Sequence, residues 1–222
     1  MSLYFVIFGN LIGKRIGEMG GFSYMEFIVP GLIMMSIITS SYSNVSSSFF
    51  SAKFQRNVEE LLVAPVPIWV VIMGFVGGGV ARALIIGVLV TCVSMFFVDV
   101  KIHSFFVIVV TLVLTSILFA TAGLINGIYA KNFDDISVIP TFVLTPLTYL
   151  GGVFYSLTLL PDFWQVLSQA NPIVYMVNAF RYGFLGESDV DHWTAIGLLI
   201  VFNIALLSVA YQLLKKGVGI RS

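Results

Sequence analysis

An all-helical membrane protein is the fold class that the sequence predicts, and three observations carry that prediction. Of 222 residues, 59% are hydrophobic and only 10% are charged, whereas a soluble globular domain carries roughly 25% charge. Mean hydropathy is +1.02. Apolar runs of transmembrane length recur along the chain with short polar connections between them. At ~20 residues per span, the chain has room for about five full transmembrane helices plus a partial first one, and none for an attached soluble catalytic domain. Eleven Lys plus Arg balance eleven Asp plus Glu. That balance supports neither a basic nucleic-acid surface nor an acidic tail, so no nucleic-acid partner is expected. The single cysteine, Cys92, sits in an apolar run and is expected as a small buried hydrophobe.

Residues 1–12 are apolar but reach only about 18 Å of a ~30 Å core, half a span. A polar, glycine-bearing turn over 13–23 precedes a spanning segment, residues 24–50. Its second half is dense in Ser, Thr and Asn. Thr39, Ser40, Ser43, Asn44 and Ser47 form a candidate pathway lining, the other reading being hydroxyls that bond to helix carbonyls or neighbouring helices. Hydrophobicity then collapses over 51–67. Phe54, Val58, Leu61 and Leu62 fall at i, i+4, i+7 and i+8, with Lys53, Arg56, Asn57, Glu59 and Glu60 off that stripe. The spacing predicts an amphipathic helix on the membrane surface, ended by Pro65 and Pro67.

Residues 69–77 read as an interfacial lead-in, with the span at 80–98. Arg82 then lies near a helix end, where it can snorkel to the interface or form a buried pairing. Residues 105–129 form the next span, and 136–155 a further one that Pro140 and Pro146 kink, its freed backbone groups satisfied by Thr141, Thr145, Thr148 or neighbouring helices. Two short stretches follow, 161–170 and 172–185. Asn171 reads as an N-cap with Pro172 at the first helical position, and Gly186 as a stop. Neither stretch can span alone, so a re-entrant hairpin is expected, its polar groups Asp162, Arg181 and Glu187 in water. The last span is 193–214.

Counting Lys and Arg orients the chain. With the C-terminus in the cytoplasm and the hairpin not crossing, Lys53, Arg56, Lys131, Lys215, Lys216 and Arg221 lie inside, whereas Lys14, Arg15, Lys101 and Arg181 lie outside.

No catalytic motif is visible. Gly74 and Gly79 have the spacing of a phosphate loop, but Val80-Ala81 stands where Lys-Ser/Thr is required, so the chain does not bind ATP itself. The two histidines are far apart, with no carboxylate or thiolate cluster at ligand spacing, which argues against a catalytic metal. A transport protein rather than an enzyme is expected.

Four elements in register carry a resemblance over essentially the whole chain. They are the amphipathic Glu59-Glu60-Leu61-Leu62-Val63-Ala64-Pro65 element, the Pro146-Leu147-Thr148-Tyr149-Leu150-Gly151-Gly152-Val153-Phe154-Tyr155 helix end, Leu160-Pro161, and Asn171-Pro172-Ile173-Val174-Tyr175 followed by Arg181 and Gly186. Together they resemble the ABC-2 type transporter permeases. The resemblance implies a single permease membrane domain, residues 1–222, in a bacterial inner membrane. Such a subunit dimerises and works with a separate ABC ATPase that holds ATP and Mg, exporting lipids, glycans or drugs. It makes residues 51–64 the ATPase-coupling helix, with Lys53, Phe54, Arg56, Val58, Glu59, Glu60, Leu61 and Leu62 as its docking and anchoring residues. Asp162, Asn171, Pro172, Tyr175 and Arg181 fall in the outer re-entrant hairpin, where Arg181 is either an anionic head-group contact or an arginine that is solvated or paired within the chain. Family members carry an N-terminal interfacial helix and a full first span. Neither is complete here, so the expectation is an N-terminally truncated subunit whose Met1 is an internal or misassigned start. A stand-alone channel or secondary carrier is the alternative, and it would need ionisable groups in mid-span.

Overall fold

The computed structural model describes Tyr4, residues 6–8, Gly13, residues 17–58 and residues 66–219. The half-span expected over 1–12 and the truncated start fall largely outside the described residues, as do Glu59, Glu60, Leu61 and Leu62.

A small hairpin opens the continuous structure, β1 (Glu18–Met19) paired antiparallel with β2 (Phe22–Ser23). Its turn residues, Gly20 and Gly21, have φ of 60° and 77°, a pairing that tight two-residue hairpins require at both central positions. Ser23 then begins α1 (Tyr24–Phe54) with a capping box, its Oγ accepting from the Glu26 N–H while the Glu26 carboxylate accepts from the Ser23 N–H.

The remaining helices are α2 (Ile68–Ser94), α3 (Phe105–Tyr129), α4 (Phe133–Ile139), α5 (Thr145–Tyr149), α6 (Asp162–Gln169), α7 (Pro172–Leu185) and α8 (His192–Lys216). Among the described residues, α1, α2, α3 and α8 are long and apolar enough to cross a membrane. The segment expected as a further span takes a broken form. α4 and α5 are joined by a π turn, Pro140–Leu144, and the continuous helical path over 133–149 rises about 25 Å. Pro140 and Pro146 cause the break, and the expected threonines bond to the backbone there: Thr145 Oγ1 donates to Pro140 O and Thr148 Oγ1 to Leu144 O.

One expectation is overturned at α2. The helix runs unbroken through Gly77-Gly78-Gly79 from Ile68, so there is no interfacial lead-in, and Arg82 lies near the middle of the helix rather than near its end. Glycine costs a helix about 1 kcal/mol in water. In a membrane the same small residues let backbones meet. A Cβ on Gly79 would stand 2.4 Å from Val45 Cγ2 and 3.3 Å from Ser41 O, so only glycine admits α2 this close to α1. Cys92, expected inside, is exposed on α2.

On its other side α1 meets α3 in the same way. A Cβ on Gly123 would lie 2.4 Å from the Tyr42 carbonyl oxygen. The α1 surface in these contacts supplies Ile33, Ile37, Tyr42, Val45 and Phe49 to the buried core. Gly123→Ala is therefore expected to destabilise the protein by about 1–3 kcal/mol, because a backbone carbonyl cannot yield as a side chain can. Gly78→Ala, whose Cβ meets open space, is expected to leave the detergent-solubilised melting temperature unchanged. Thermal unfolding of both variants checks the contrast.

Candidate functional site

Two ends and one lateral face of the bundle carry the polar chemistry. The lateral face belongs to α1. Three of its hydroxyls are buried: Ser36 Oγ donates to Leu32 O, Ser41 Oγ to Ile37 O, and Ser46 Oγ accepts from Asn126 Nδ2. Thr39, Ser40, Ser43, Asn44 and Ser47 are exposed or half-buried. Thr39 Oγ1 bonds to Met35 O and Ser47 Oγ to Ser43 O, whereas Ser40 Oγ has no partner among the described residues. The five expected lining residues therefore share a strip on one side of α1, although the Ser40 hydroxyl itself is shielded from solvent. Onto that strip comes a residue the sequence reading placed elsewhere: Arg82 Nη1 donates to Asn44 Oδ1 at 3.0 Å. The contact follows from the close crossing at Gly79, one helical turn earlier on α2.

At the end of the bundle where α1 finishes, the expected amphipathic helix is cut. Residues 51–54 form the last turn of α1, Gln55 is its C-cap, and Arg56 has a φ of 63°, a left-handed conformation that breaks helical continuity. Of the expected stripe, Phe54 and Val58 lie on either side of this break, and Leu61 and Leu62 lie outside the described residues. Phe54 is 69% exposed and packs on Phe50 and Phe133, whereas Val58 is wholly buried. Lys53 also departs from expectation. Its Nζ donates to Ile128 O at 2.7 Å and Ala130 O at 2.8 Å, neutralising carbonyls at the C-terminus of α3, so its ammonium group is engaged within the chain.

At the opposite end, α6 and α7 form a hairpin whose two ends meet. Ser156 Oγ and the Leu157 N–H, before α6, both donate to the Asp189 carboxylate, after α7, at 2.7 and 2.9 Å. The pair of helices thus returns to the end from which it started, as a re-entrant element does. Asn171 joins the hairpin to α5: its Oδ1 accepts from the Ile173 N–H and its Nδ2 donates to Leu147 O at 2.7 Å. Pro172 occupies the first turn, Tyr175 OH closes the hairpin on Gln169 O, and Gly186 ends α7 at φ 79°. Asp162 stands exposed in the first turn of α6.

Arg181 was expected either at a head group or as an arginine solvated or paired within the chain; the structure shows the intrachain pairing and corrects the placement in water. It is 2% exposed, lies over the Phe27 ring at 3.8 Å, and donates from Nη2 to Gly152 O and from Nε to Phe27 O. Burial pushes its guanidinium down to about 10, with the Asp189 carboxylate opposing that shift, so it stays charged at neutral pH. Arg181 is a clamp between α7, the start of α1 and the 150–156 connection. Beside it a cavity of about 520 Å³ opens among Glu18, Phe27, Leu185, Glu187 and Asp189. Arg181→Ala removes two charge-assisted bonds to buried carbonyls and is expected to cost about 3 kcal/mol. Glu187→Ala, on the exposed rim, is expected to cost nothing. Melting temperatures of the purified variants check both.

Comparison with known proteins agrees with this architecture. Residues 1–185 match the ABC-2 type transporter family. The whole chain is 66% identical over 222 residues to the inner membrane transport permease YadH of Escherichia coli strain K12, covering 87% of that protein. It is also 22% identical over 215 residues, 96% of its own length, to nodulation protein J of Rhizobium leguminosarum bv. trifolii, covering 82% of it. At such identity and coverage, with four helices of membrane-spanning length among the described residues, the chain belongs to the ABC-2 type transporter family and is a transport protein rather than a catalytic one.

Proposed function

We propose that this chain is the membrane-spanning permease subunit of an ATP-driven exporter in a bacterial inner membrane. Two copies form the translocation path, and a separate ATPase subunit that holds ATP and Mg drives it. The observation that carries this reading is the strip of Thr39, Ser40, Ser43, Asn44 and Ser47 with Arg82 laid onto it. In a lone subunit that strip would face hydrocarbon, where polar side chains are costly. A second copy opposite it makes a passage that holds water or substrate.

Charge distribution supports the orientation. Lys53, Arg56, Lys131, Lys215 and Lys216 gather at the end of the bundle where α1, α3 and α8 finish, whereas Glu18, Glu26, Asp99, Asp162, Glu187, Asp189 and Asp191 gather at the hairpin end. The positive-inside tendency puts the first end, with the C-terminus, in the cytoplasm. The hairpin then closes the outer exit, and the connection between α1 and α2, residues 55–67, faces the ATPase. A stand-alone carrier would use a mid-span charge, and Arg82 is one. No described carboxylate accompanies it in the middle of α1, α2, α3 or α8 to exchange a proton or cation, so the ATP-driven reading is preferred.

Reversing charge at the connection tests the coupling. The double variant Glu59→Lys/Glu60→Lys is expected to lose at least ~90% of ATPase co-purification from membranes while the permease keeps its melting temperature, an effect of like-charge juxtaposition at a docking surface. Normal co-purification and transport would place the coupling elsewhere. Topology is checked separately. Glu187→Cys in intact spheroplasts is expected to react with an impermeant thiol reagent and Lys215→Cys only after lysis; the reverse pattern inverts the orientation.

A further inference from the structure

Arg82 is the one formal charge in the middle of the described membrane-length helices. Glu26 sits in the first turn of α1, Lys53 in its last, Lys215 and Lys216 at the end of α8, and α3 has none. At 1.5 Å per residue Arg82 stands about 21 Å from the start of α2 and about 18 Å from its end. Among the described residues it has no counterion. The ion pairs among the described residues, Lys101 with Glu26 and His192 with Asp191, are both at the hairpin end, and the hydrogen-bond partner of Arg82 is the Asn44 side-chain oxygen. That single bond orients the guanidinium and leaves most of its five N–H donors unused. Ser40, one turn before Asn44 on α1, carries a hydroxyl that has no partner among the described residues and is shielded from solvent in the single copy, and the neighbouring Ser43 is half-buried. Gly78 and Gly74, one and two turns earlier on the same face of α2, are exposed, and a Cβ on either would meet nothing. A lane of bare backbone therefore leads from the inner end of α2 to the guanidinium.

We propose that Arg82 recognises an oxyanion on the exported substrate, a phosphate or carboxylate group, with Asn44 holding the guanidinium in place and the α1 hydroxyls completing the shell. The inference rests on the reading that the α1 strip lines the passage between two copies. It adds the substrate class. A guanidinium presents a fork that matches an oxyanion, rings of Arg or Lys select anions in membrane pores, and an uncompensated cation at this depth gains its counter-charge each time substrate passes. The oxyanion can belong to an amphiphile or to a phosphorylated sugar.

The permease is co-purified with its ATPase and reconstituted in phosphatidylcholine vesicles, and ATPase stimulation is titrated with dodecyl phosphate, dodecyl maltoside and dodecyltrimethylammonium at sub-solubilising concentrations. Glucose 1-phosphate and glucose form a second arm. The phosphate compound in at least one arm is expected to reach half-maximal stimulation at a concentration about tenfold lower than its neutral counterpart. Arg82→Gln is expected to erase that preference and Arg82→Lys to retain part of it. A preference in the dodecyl arm alone assigns the oxyanion to an amphiphile, and one in the sugar arm alone to a glycan. Equal half-maximal concentrations for anionic and neutral compounds, or a preference that survives in Arg82→Gln, overturn the inference while leaving the exporter reading standing. If Arg82→Gln does not assemble, the wild-type series and Arg82→Lys decide alone. A wild-type complex with no ATP-driven response to any compound overturns both readings.

Discussion

Helices in a bilayer gain little by hiding apolar surface from one another, because lipid chains are as apolar as leucine, so their association depends on how closely their backbones can come. α1 meets α2 at Gly79 and α3 at Gly123, and at both points a single methyl group would collide with the facing helix. Much of the remaining structure follows from these two crossings. The first lets Arg82 reach Asn44. The second aligns α3 beside α1 so that Asn126 meets Ser46 and Lys53 meets the final carbonyls of α3. α1 is thus held on two sides and left open on a third, the side that carries Thr39, Ser40, Ser43, Asn44 and Ser47.

What was legible in the sequence is what depends on local chemistry. The helix over 24–50 announces itself by hydrophobicity, and Asn171-Pro172 and Gly186 bound α7 because capping and left-handed closure are decided within a few residues. The two prolines foretold the break between α4 and α5 for the same reason. Arg82 was misplaced because three consecutive glycines read as a break by soluble-protein rules, whereas the helix runs through them and the last, Gly79, admits another helix. The break between Phe54 and Val58 falls at Arg56, whose left-handed backbone no residue type there foretells. Arg181 was expected in water because its carbonyl partners, Phe27 and Gly152, are 154 and 29 residues away. Contacts at that separation leave no local trace.

The two arginines show how one residue type serves opposite ends. Arg181 is desolvated but bonded to two carbonyls and stacked on Phe27, so its charge is spent on fixing the hairpin to the start of α1. Arg82 has one neutral partner and open surroundings. A cation held by many fixed dipoles is structural, whereas one with a single oriented contact at mid-membrane depth remains available to a passing group. The hairpin is pinned at Arg181, Asp189 and Asn171, and in the proposed orientation it would cover the end where that group leaves.

The central claim is that the strip of α1 bearing Asn44 faces a watery passage between two copies and not lipid. The most direct measurement introduces Ser43→Cys into a Cys92→Ser background and exposes native membranes to a negatively charged, water-soluble thiosulfonate, with Val88→Cys on the exposed apolar side of α2 as the comparison. The account predicts that Ser43→Cys is modified and also forms a disulfide-linked dimer under mild oxidation, while Val88→Cys does neither. A Ser43→Cys variant as unreactive as Val88→Cys, and monomeric after oxidation, would contradict it.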